Sequence, residues 1–486
     1  MADRKPLTEA EHSARAEAQY QRMTARPIPR TVAGLAFPTI ISMLVTSMYN
    51  MVDTYFVGKI GTSATGAVGI VFPMMIILQA VGMTIGMGAG STISRLLGRK
   101  DPERAARFLS TAFFQALIVG GVLTAVGLLF PNPILRLLGA TESILPYARD
   151  YARYIFIGAP LFAGSFVLNN ALRAEGNAVL SLVGISIGAV INIALDPLFI
   201  FTLGLGTGGA AIATVLSQAI GFCILGSHYV TGRAVLRLKP AFATFRQGIV
   251  REILRIGSPS LGRQAMASVG MVVLNTAAGG YSDAAIAAMT ITNRVSMLVY
   301  STIIGFGQGF QPVVGYNFGA GRLDRVKKAY WFSVGSGTAY MALAAVAIAL
   351  AAPAIVAGFR ADDPEVIRLG TAALRFNASV WVLQAIVIIT NMLYQATGHA
   401  GPALVMSMAR QGIFFIPAVL ILEAVAGLNG LLMAQAVADL FAFALALVFM
   451  VRYLRRGLAL RRDHAVGQDA PSLQRAESLA EAPVEE

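Results

Sequence analysis

The chain has 486 residues, of which 56% are hydrophobic and only 13% are charged, and its mean hydropathy is +0.67. In soluble globular domains about a quarter of the residues are charged, so this composition excludes an ordinary soluble domain. The net charge of +13 would suit a protein that binds nucleic acid, but that interpretation depends on where the cations lie.

Apolar segments follow one another along the chain, each long enough for the roughly 20 residues that cross a bilayer as a helix. Twelve such segments predict an all-α membrane protein. The residues before the first segment are polar and basic, and they lack the short apolar region and cleavage site of a secretory signal. The predicted spans are 34–57, 66–89, 109–130, 150–172, 179–201, 208–230, 256–278, 284–308, 331–357, 369–394, 402–426 and 429–453.

Positive residues are concentrated in alternate loops. With the N-terminus inside, the four short outer loops hold only Lys59, and two longer outer loops hold a few arginines. The first inner loop alone holds five cations: Arg95, Arg99, Lys100, Arg104 and Arg107. Because cytoplasmic loops are rich in Lys and Arg, we expect both termini to be cytoplasmic, in the inner membrane of a bacterium. The basic charge then reflects topology, and nucleic acid is not expected as a partner.

Two carboxylates lie at membrane depth in the first half of the chain, Asp53 in span 1 and Asp196 in span 5. Charged groups there are costly and usually face the interior of a helix bundle. Tyr49 lies four residues before Asp53 and Asn192 four residues before Asp196, so each pair shares a helix face. With Thr214 in span 6, both acids lie roughly 6–9 Å below the outer boundary, at 1.5 Å rise per residue.

Such a cluster can bind either a proton or a sodium ion. Two nearby carboxylates in a low dielectric do not both ionise easily, whereas Na⁺ needs several oxygens, and Asp53, Asn192, Asp196 and Thr214 offer four. Pro197 also frees a backbone carbonyl and weakens its helix, so that protonation can change the bend. The alternative is that Asp196 only caps a helix and Asp53 is solvated at the interface.

An internal repeat organises the chain. It predicts two six-helix lobes with the same orientation, related by an axis along the membrane normal, with a cavity between them. A shift of 221 residues brings together Pro38 and Pro259, Gly86 and Gly307, Gly88 and Gly309, and Gly98 and Gly319. The predicted parts are a cytoplasmic N-terminal tail (1–30), an N-lobe with spans 1–6 (31–230), a cytoplasmic linker (231–255), a C-lobe with spans 7–12 (256–455) and a cytoplasmic C-terminal tail (456–486).

The linker and the C-terminal tail have distinct patterns. Phe242, Phe245, Ile249, Ile253 and Ile256 recur at helical spacing among arginines, which predicts an amphipathic helix on the inner leaflet. The tail is polar and acidic near its end, and we expect it to be disordered.

Three segments of the chain resemble a known family: MYNMVDTYFVGKIG, LRAEGN and NIALDPLFIFTLGLGTGGAAIATVLS. They are similar to the multidrug and toxic compound extrusion (MATE) transporters, most of all to the bacterial DinF-like and MepA-like members. The resemblance implies export of varied, often cationic, drugs in exchange for H⁺ or Na⁺. It implies that Asp53 and Asp196 are the coupling acids, that Asn192 and Thr214 are their partners, and that Pro38 bends the first helix.

The second lobe departs from this pattern, since another branch of the family has coupling acids there. Here span 7 has Arg263 and span 10 has no acid, while Arg294, Arg410 and Asp439 also lie at membrane depth. One interpretation is a structural network in which Asp439 pairs with an arginine. The other is that Arg263 or Arg294 lines the cavity and favours anionic or zwitterionic cargo. Tyr49 and Tyr394 are candidates for the cavity wall.

We therefore predict a secondary active multidrug exporter that works by alternating access. Its partners would be small organic molecules and the lipid bilayer, it would be monomeric, and it would need no cofactor beyond the coupling ion. Because no HExxH motif, nucleophile elbow or histidine cluster occurs, we expect no enzyme activity. Two alternatives are an exporter of an anionic metabolite and a lipid-linked sugar flippase of the same superfamily, in which the arginines would hold a pyrophosphate.

Overall fold

The computed structural model describes residues 9–60, 62–142, 144–232, 234–245, 248–360 and 362–480, without the side chains of residues 9, 10, 12, 13, 50, 51, 53–55, 57, 58, 62–65, 454 and 456–480. In this part the chain is almost entirely helical. The helices are α1 Glu9–Thr24, α2 Ile28–Gly58, α3 Thr62–Gly98, α4 Pro102–Leu129, α5 Pro131–Leu137, α6 Leu145–Ala174, α7 Ala178–Pro197, α8 Gly206–Val230, α9 Ile249–Gly279, α10 Asp283–Gly319, α11 Leu323–Phe359, α12 Pro364–Ala396, α13 Ala400–Met408 and α14 Phe415–Ala480.

The membrane spans correspond to these long helices. Among the described residues, nine helical segments are long and apolar enough to cross a bilayer. One of them, Ala400–Tyr453, has 54 residues and contains a break at Gly427, so it crosses twice. The helices α9 and α10 have 31 and 37 residues and are less apolar because of residues such as Arg263 and Arg294. With them the predicted twelve-span, all-α fold is confirmed.

Side chains at the turns set where several helices begin. Asp101 precedes α4, and its Oδ1 accepts a hydrogen bond from the Arg104 backbone N–H at 3.0 Å. Asn177 caps α7 through the backbone N–H of Leu180, and Asp363 caps α12. Because the first N–H groups of a helix have no partner inside the helix, such caps typically stabilise it by about 1 kcal/mol. The short polar turns therefore separate the spans cleanly.

The two lobes join at one end of the bundle, which we call the linker side because residues 234–245 lie there; the opposite end is the far side. On the linker side one buried apolar cluster includes residues of both lobes, among them Ile93, Val167, Ile253 and Phe310. Two further clusters lie toward the far side. One belongs to the N-lobe alone and the other to the C-lobe alone. The lobes thus share a core on the linker side and have separate cores on the far side.

Paired glycines make this junction close and nearly symmetric. A Cβ on Gly98 would lie 2.2 Å from the Tyr316 carbonyl oxygen, and one on Gly319 would lie 2.1 Å from that of Arg95. The repeat offset of 221 residues relates Gly98 to Gly319 and Arg95 to Tyr316, so the two contacts are equivalent. Only a residue without a side chain allows backbones to approach this closely. The repeat seen in the sequence is therefore a pseudo-twofold contact between α3 and α10.

The linker differs from the prediction of an amphipathic helix that starts near Phe242. Only a short 3₁₀ turn, Pro240–Phe242, precedes α9, and the helix begins at Ile249 after Gly248, whose φ is +70°. The backbone N–H of Lys239 and of Thr244 instead donate to hydroxyls on α4. A positive φ and these side-chain acceptors favour an irregular segment over a helix. The prediction is therefore wrong for Phe242 and Phe245, and the last part of the linker belongs to α9.

The C-terminal tail also differs from its prediction. We expected disorder from about residue 456, but α14 continues to Ala480. The tail contains several Leu, Ala and Arg residues with high helix propensity, although Gly457, Gly467 and Pro471 oppose a helix.

Glu175 attaches the start of the linker to the N-lobe, in the turn between α6 and α7. Its carboxylate accepts hydrogen bonds from the Tyr229 hydroxyl at 2.9 Å and the Val235 backbone N–H at 3.0 Å. Burial raises the pKa of Glu175 to about 7, although the hydrogen bonds from Tyr229 and from the backbone of Val235 and Leu236 act in the opposite direction. The folded protein therefore keeps a proton at pH values where the unfolded chain has lost it.

This raised pKa predicts a pH-dependent stability. Between about pH 4.5 and 7 the unfolded chain binds fewer protons than the folded one, so stability falls as the pH rises, by about 3 kcal/mol in all. The thermal unfolding midpoint of the purified protein, compared at pH 5 and pH 8, should fall less in Glu175→Gln than in the wild type. Glu103→Gln, which alters an exposed carboxylate on the same side, is the control and should behave as the wild type. Equal slopes for all three proteins would contradict the prediction.

Candidate functional site

Asp196 lies in the last turn of α7, at the far side of the N-lobe, and it is fully buried. Asn192 Nδ2 donates to Asp196 Oδ1 at 3.2 Å and approaches Thr214 Oγ1 on α8 at 3.5 Å. Asn192 and Thr214 are each 1% exposed. The structure thus brings together a carboxylate, an amide and a hydroxyl from two helices, as the four-residue spacing and the matching depth predicted.

The helix changes its winding directly after this carboxylate. α7 ends at Pro197, and Leu198–Thr202 form a π-helical turn. Proline has no N–H and its ring opposes the preceding turn, so an α-helix cannot continue regularly through it. π-turns of this kind are common at functional sites. The wider turn lies directly after Pro197, where the sequence predicts a weak point in the helix.

The second predicted acid, Asp53, is on α2, but its side chain lies outside the described part of the chain. The helices around it are informative, because α2 packs along α7. Phe56, one turn after Asp53, meets Phe201 edge to face with ring centroids 6.5 Å apart. This ring contact places the far-side end of α2 against the π-helical turn that follows α7.

Two other residues of the predicted site are also on α2. Pro38 is inside the unbroken helix and is buried. It lies beside the contact with α10, where a Cβ on Gly305 would meet Ile40 and one on Gly309 would meet Ala36. Because proline removes one backbone hydrogen bond, α2 bends most easily near Pro38, where it packs against α10 of the other lobe. Tyr49, nearer the far side, is half-buried.

The buried cluster has capacity for a ligand. Within the described residues, Asn192 Oδ1 has no hydrogen-bond partner although it is buried. A buried amide oxygen without a partner is costly, and a proton on the neighbouring carboxyl group or a bound cation would satisfy it. The donor set of carboxylate, amide and hydroxyl oxygens fits a hard monovalent cation as well as a proton.

In the C-lobe, Arg410 and Asp439 form a buried ion pair. Arg410 Nε lies 3.0 Å from Asp439 Oδ1, and the guanidinium lies 4.0 Å from the centre of the Tyr300 ring. Asp439 also accepts from the Tyr300 hydroxyl at 3.2 Å and from Gln435 Nε2 at 2.9 Å. This network corresponds to the structural interpretation of the C-lobe charges, in which Asp439 pairs with an arginine. Removing either Arg410 or Asp439 would leave the other as an unpaired buried charge.

The other two arginines differ in exposure. Arg263 on α9 is half-buried and close enough to Arg410 for the two positive charges to interact. Arg294 on α10 is exposed. It lies seven residues before Ser301, on the same helix face, and Ser301 bonds to Ser47 of α2 at 3.0 Å. Arg294 therefore points into the space between the lobes, two turns closer to the far side than the contact between Ser301 and Ser47.

Tyr394 is not at a cavity wall, so that prediction is wrong. The residue is 4% exposed, and its hydroxyl donates to the Phe449 carbonyl at 2.7 Å. Its ring packs edge to face against Phe449, Tyr453 and His399. An aromatic ring whose hydroxyl has a carbonyl acceptor is stable inside a lobe. The residue spacing in span 10 does not show which face of the helix packs against Phe449.

Sequence reasoning missed two members of the C-lobe network, Tyr300 and Gln435. Gln435 lies four residues before Asp439, so the helical spacing that identified Asn192 and Asp196 could have found it. Tyr300 comes from another helix, and no local pattern in the sequence predicts its contact with Arg410.

The chain is similar to known transport proteins along nearly its whole length. A family model described as MatE matches residues 38–198 and 259–420, once in each lobe. The multidrug export protein MepA of Staphylococcus haemolyticus is 29% identical over 426 residues, which cover 87% of this chain and 93% of the relative. MepA of Staphylococcus aureus is 28% identical over 437 residues, covering 89% and 96%.

Solved structures agree with the fold. An outward-facing multidrug resistance MATE family transporter of the MOP superfamily superimposes with a TM-score of 0.85 at 26% identity, covering 91% of this chain and 99% of that one. A MOP superfamily transporter from Pyrococcus furiosus, described as having a binding pocket of reverse polarity that suggests a different function, gives 0.84 at 26% identity, with coverage of 90% and 99%.

Proposed function

Because the chain belongs to the MatE family, we propose that it is a secondary active exporter of drugs and other organic compounds, driven by inward movement of H⁺ or Na⁺. The names of its MepA relatives support the export of many compounds. Their description as export proteins also favours transport over an enzyme reaction. The observation on which the proposal chiefly rests is the buried Asn192–Asp196–Thr214 cluster.

The proposed membrane arrangement has the linker side in the cytoplasm, and with it both termini, in the inner membrane of a bacterium. Exposed cations on that side support this orientation, because cytoplasmic loops are rich in Lys and Arg; they include Arg99, Lys100, Arg104, Arg322 and Lys328. The far side then faces outward. The lobes share a core on the linker side and have separate ones on the far side, which corresponds to a cavity open to the outside.

The proposed cycle couples this cavity to the carboxylates of the N-lobe. In the outward-open conformation Asp53 and Asp196 take up H⁺ or Na⁺, with Asn192 and Thr214 as further oxygen ligands in the case of Na⁺. Neutralisation of the cluster changes how α2 packs on α7, and the weak points at Pro38 and Pro197 allow the helices to bend. The cavity then loses cargo to the outside, and the lobes close there and open on the linker side, where the ion is released.

The cargo is proposed to be cationic or zwitterionic. The N-lobe acids attract positive groups, and Arg294 in the space between the lobes suits the negative end of a zwitterion. An exporter of an anionic metabolite is the alternative if Arg294 dominates. A lipid-linked sugar flippase is less favoured, because Arg410, one of the three arginines that would hold a pyrophosphate, is engaged by Asp439. The proposed working unit is a monomer that needs no cofactor besides the coupling ion and has no nucleic-acid partner.

The test is transport by the purified protein in proteoliposomes. Efflux of ethidium, a fluorescent organic cation, is measured under a proton gradient alone, a sodium gradient alone, and neither. We expect efflux with one gradient and only leakage without either. Equal rates in all three conditions would overturn the proposal. A zwitterionic and an anionic dye, tested with Arg294→Ala beside the wild type, assign the charge of the cargo.

A further inference from the structure

A second polar cavity, separate from the N-lobe cluster, lies on the linker side where both lobes meet. It has a volume of about 590 Å³. Its walls come from the end of α3 and the start of α4 in the N-lobe, and from α9, the end of α10 and the turn after α12 in the C-lobe. We call it the basic pocket; it is lined by Thr92, Arg95, Leu96, Arg99, Arg104, Phe108, Gly248, Arg251, Glu252, Arg255, Ile256, Phe318, Thr397 and Gly398.

The charge of the basic pocket is strongly positive. Among the described residues, five arginines line it against a single glutamate, and the arginines come from both lobes. His399, in the turn after α12, is affected by the same positive charges. Burial lowers the pKa of His399, and the charges of Arg95 and Arg255 lower it further. Like charges that face each other across an interface repel. Repulsion between these arginines therefore destabilises the closed arrangement of the lobes on the linker side, and a bound anion would reduce that repulsion.

Arg95 is the buried centre of the basic pocket. It is 8% exposed, and its Nη2 donates to Thr92 Oγ1 at 2.9 Å and contacts Glu252 Oε1 at 3.4 Å. Its Nη1 is buried and, in the described part of the chain, has no hydrogen-bond partner. Gly398, whose φ is +86°, leaves room for that nitrogen, since a Cβ there would overlap it. Arg95 thus keeps a buried donor free for a ligand inside the basic pocket.

The arginine of the C-lobe that is equivalent to Arg104 has different contacts. Arg325 corresponds to Arg104 at the offset of 221 residues, and it donates to the Asn317 side chain and to the Arg26 carbonyl. Its guanidinium is therefore engaged by the N-terminal segment of the chain itself. Arg104 lines the basic pocket instead. The pseudo-symmetry of the lobes does not by itself produce this cluster.

We propose that the basic pocket binds a phosphate group, and that the bound phosphate holds the two lobes together on the linker side. Arginine guanidinium groups bind phosphate through paired, charge-assisted hydrogen bonds, and arginines of both lobes would share one ligand. The anion then stabilises the conformation in which the linker side is closed and slows its opening. The pocket lies at the ends of the spans, so the phosphate can come from an anionic lipid headgroup or from a soluble phosphate compound.

The experiment measures the distance between the lobes on the linker side. Spin labels are placed at the exposed positions 103 and 324 in a Cys223→Ala background, and the distance distribution is recorded by pulsed EPR. One arm uses delipidated protein in detergent with inorganic pyrophosphate, against sodium chloride at equal ionic strength. The other arm uses nanodiscs of phosphatidylglycerol against phosphatidylcholine.

We expect the phosphate source to increase the population with the short distance. In the double variant Arg251→Gln/Arg255→Gln, the pyrophosphate concentration that gives half of the distance change should rise at least about tenfold. Each lost charge-assisted hydrogen bond weakens the binding of the anion substantially. Lys327→Gln/Lys328→Gln, which removes the same charge on the same side but outside the pocket, should respond as the wild type. A response to pyrophosphate identifies a soluble anion, and a response only to phosphatidylglycerol identifies the lipid.

The proposal is overturned if neither source changes the distances, or if both double variants respond like the wild type. Because Arg251 and Arg255 are exposed, the variants should fold, and equal thermal unfolding midpoints without phosphate verify this. The readout involves no cargo and no ion gradient, so its outcome is independent of the proposed transport activity.

Discussion

Replacing Asp196 by Asn is expected to reduce gradient-driven efflux at least about tenfold, a change equivalent to 1.4 kcal/mol of lost coupling free energy. Asn has the shape of Asp, and Asn192 can still donate to its oxygen, so the N-lobe should fold normally. An amide, however, neither takes up a proton in this pH range nor neutralises a cation. Transport measured in proteoliposomes should fall to leakage while the thermal unfolding midpoint stays close to that of the wild type.

Two comparisons make this result specific. Asp150→Asn changes an exposed carboxylate of the same lobe on the far side and should leave efflux unchanged. Thr214→Val removes one oxygen from the cluster without altering its charge. If Na⁺ is the coupling ion, this variant should need a higher sodium concentration, because the cation loses a ligand; if H⁺ is the ion, the rate should change little. Normal efflux by Asp196→Asn would exclude this residue from coupling.

Adding a methyl group at Gly98 is expected to push the lobes apart on the linker side. In Gly98→Ala the new Cβ would lie 2.2 Å from the Tyr316 carbonyl oxygen, and no side-chain rotation can relieve a clash with backbone. Overpacking usually costs about 1–3 kcal/mol, which would change the ratio of the two conformations roughly 5- to 150-fold. Pulsed EPR between labels at positions 103 and 324 should then show longer distances than in the wild type.

The pseudo-twofold junction provides the matching tests. Gly319→Ala should have the same effect, because its Cβ would lie 2.1 Å from the Arg95 carbonyl oxygen. Gly335→Ala, at an exposed helical glycine whose Cβ would meet no described atom within 4 Å, is the control for helix propensity. If all three variants gave the distances of the wild type, the glycine contacts would not be what sets the closed linker side.

Much of the candidate site follows from local spacing. Asn192 and Asp196 are four residues apart on one helix, so their hydrogen bond depends on helix geometry alone. Thr214 is on the next helix along the chain, and a count of residues from the shared turn placed it at the same depth. Gly98 and Gly319 are also visible in the sequence as a repeated pair, although the sequence does not show their contacts with Tyr316 and Arg95.

Other features could not be predicted, since they depend on the angle and rotation of packed helices. Arg410 and Asp439 were both recognised as charges at membrane depth, but their pairing and the place of Tyr300 beside them needed the C-lobe packing. Tyr394 has the same apolar surroundings in sequence whether it faces a cavity or Phe449. The basic pocket joins residues from Thr92 to Gly398, a separation over which sequence spacing gives no distance.

The sequence by itself determined the membrane fold and the two lobes, because span length, charge distribution and helical period are properties of consecutive residues. Only the tertiary structure decided which charges pair, how the linker runs and on which side the lobes touch. Those outcomes depend on close contacts between distant segments, in which one carbonyl or one methyl group changes the arrangement.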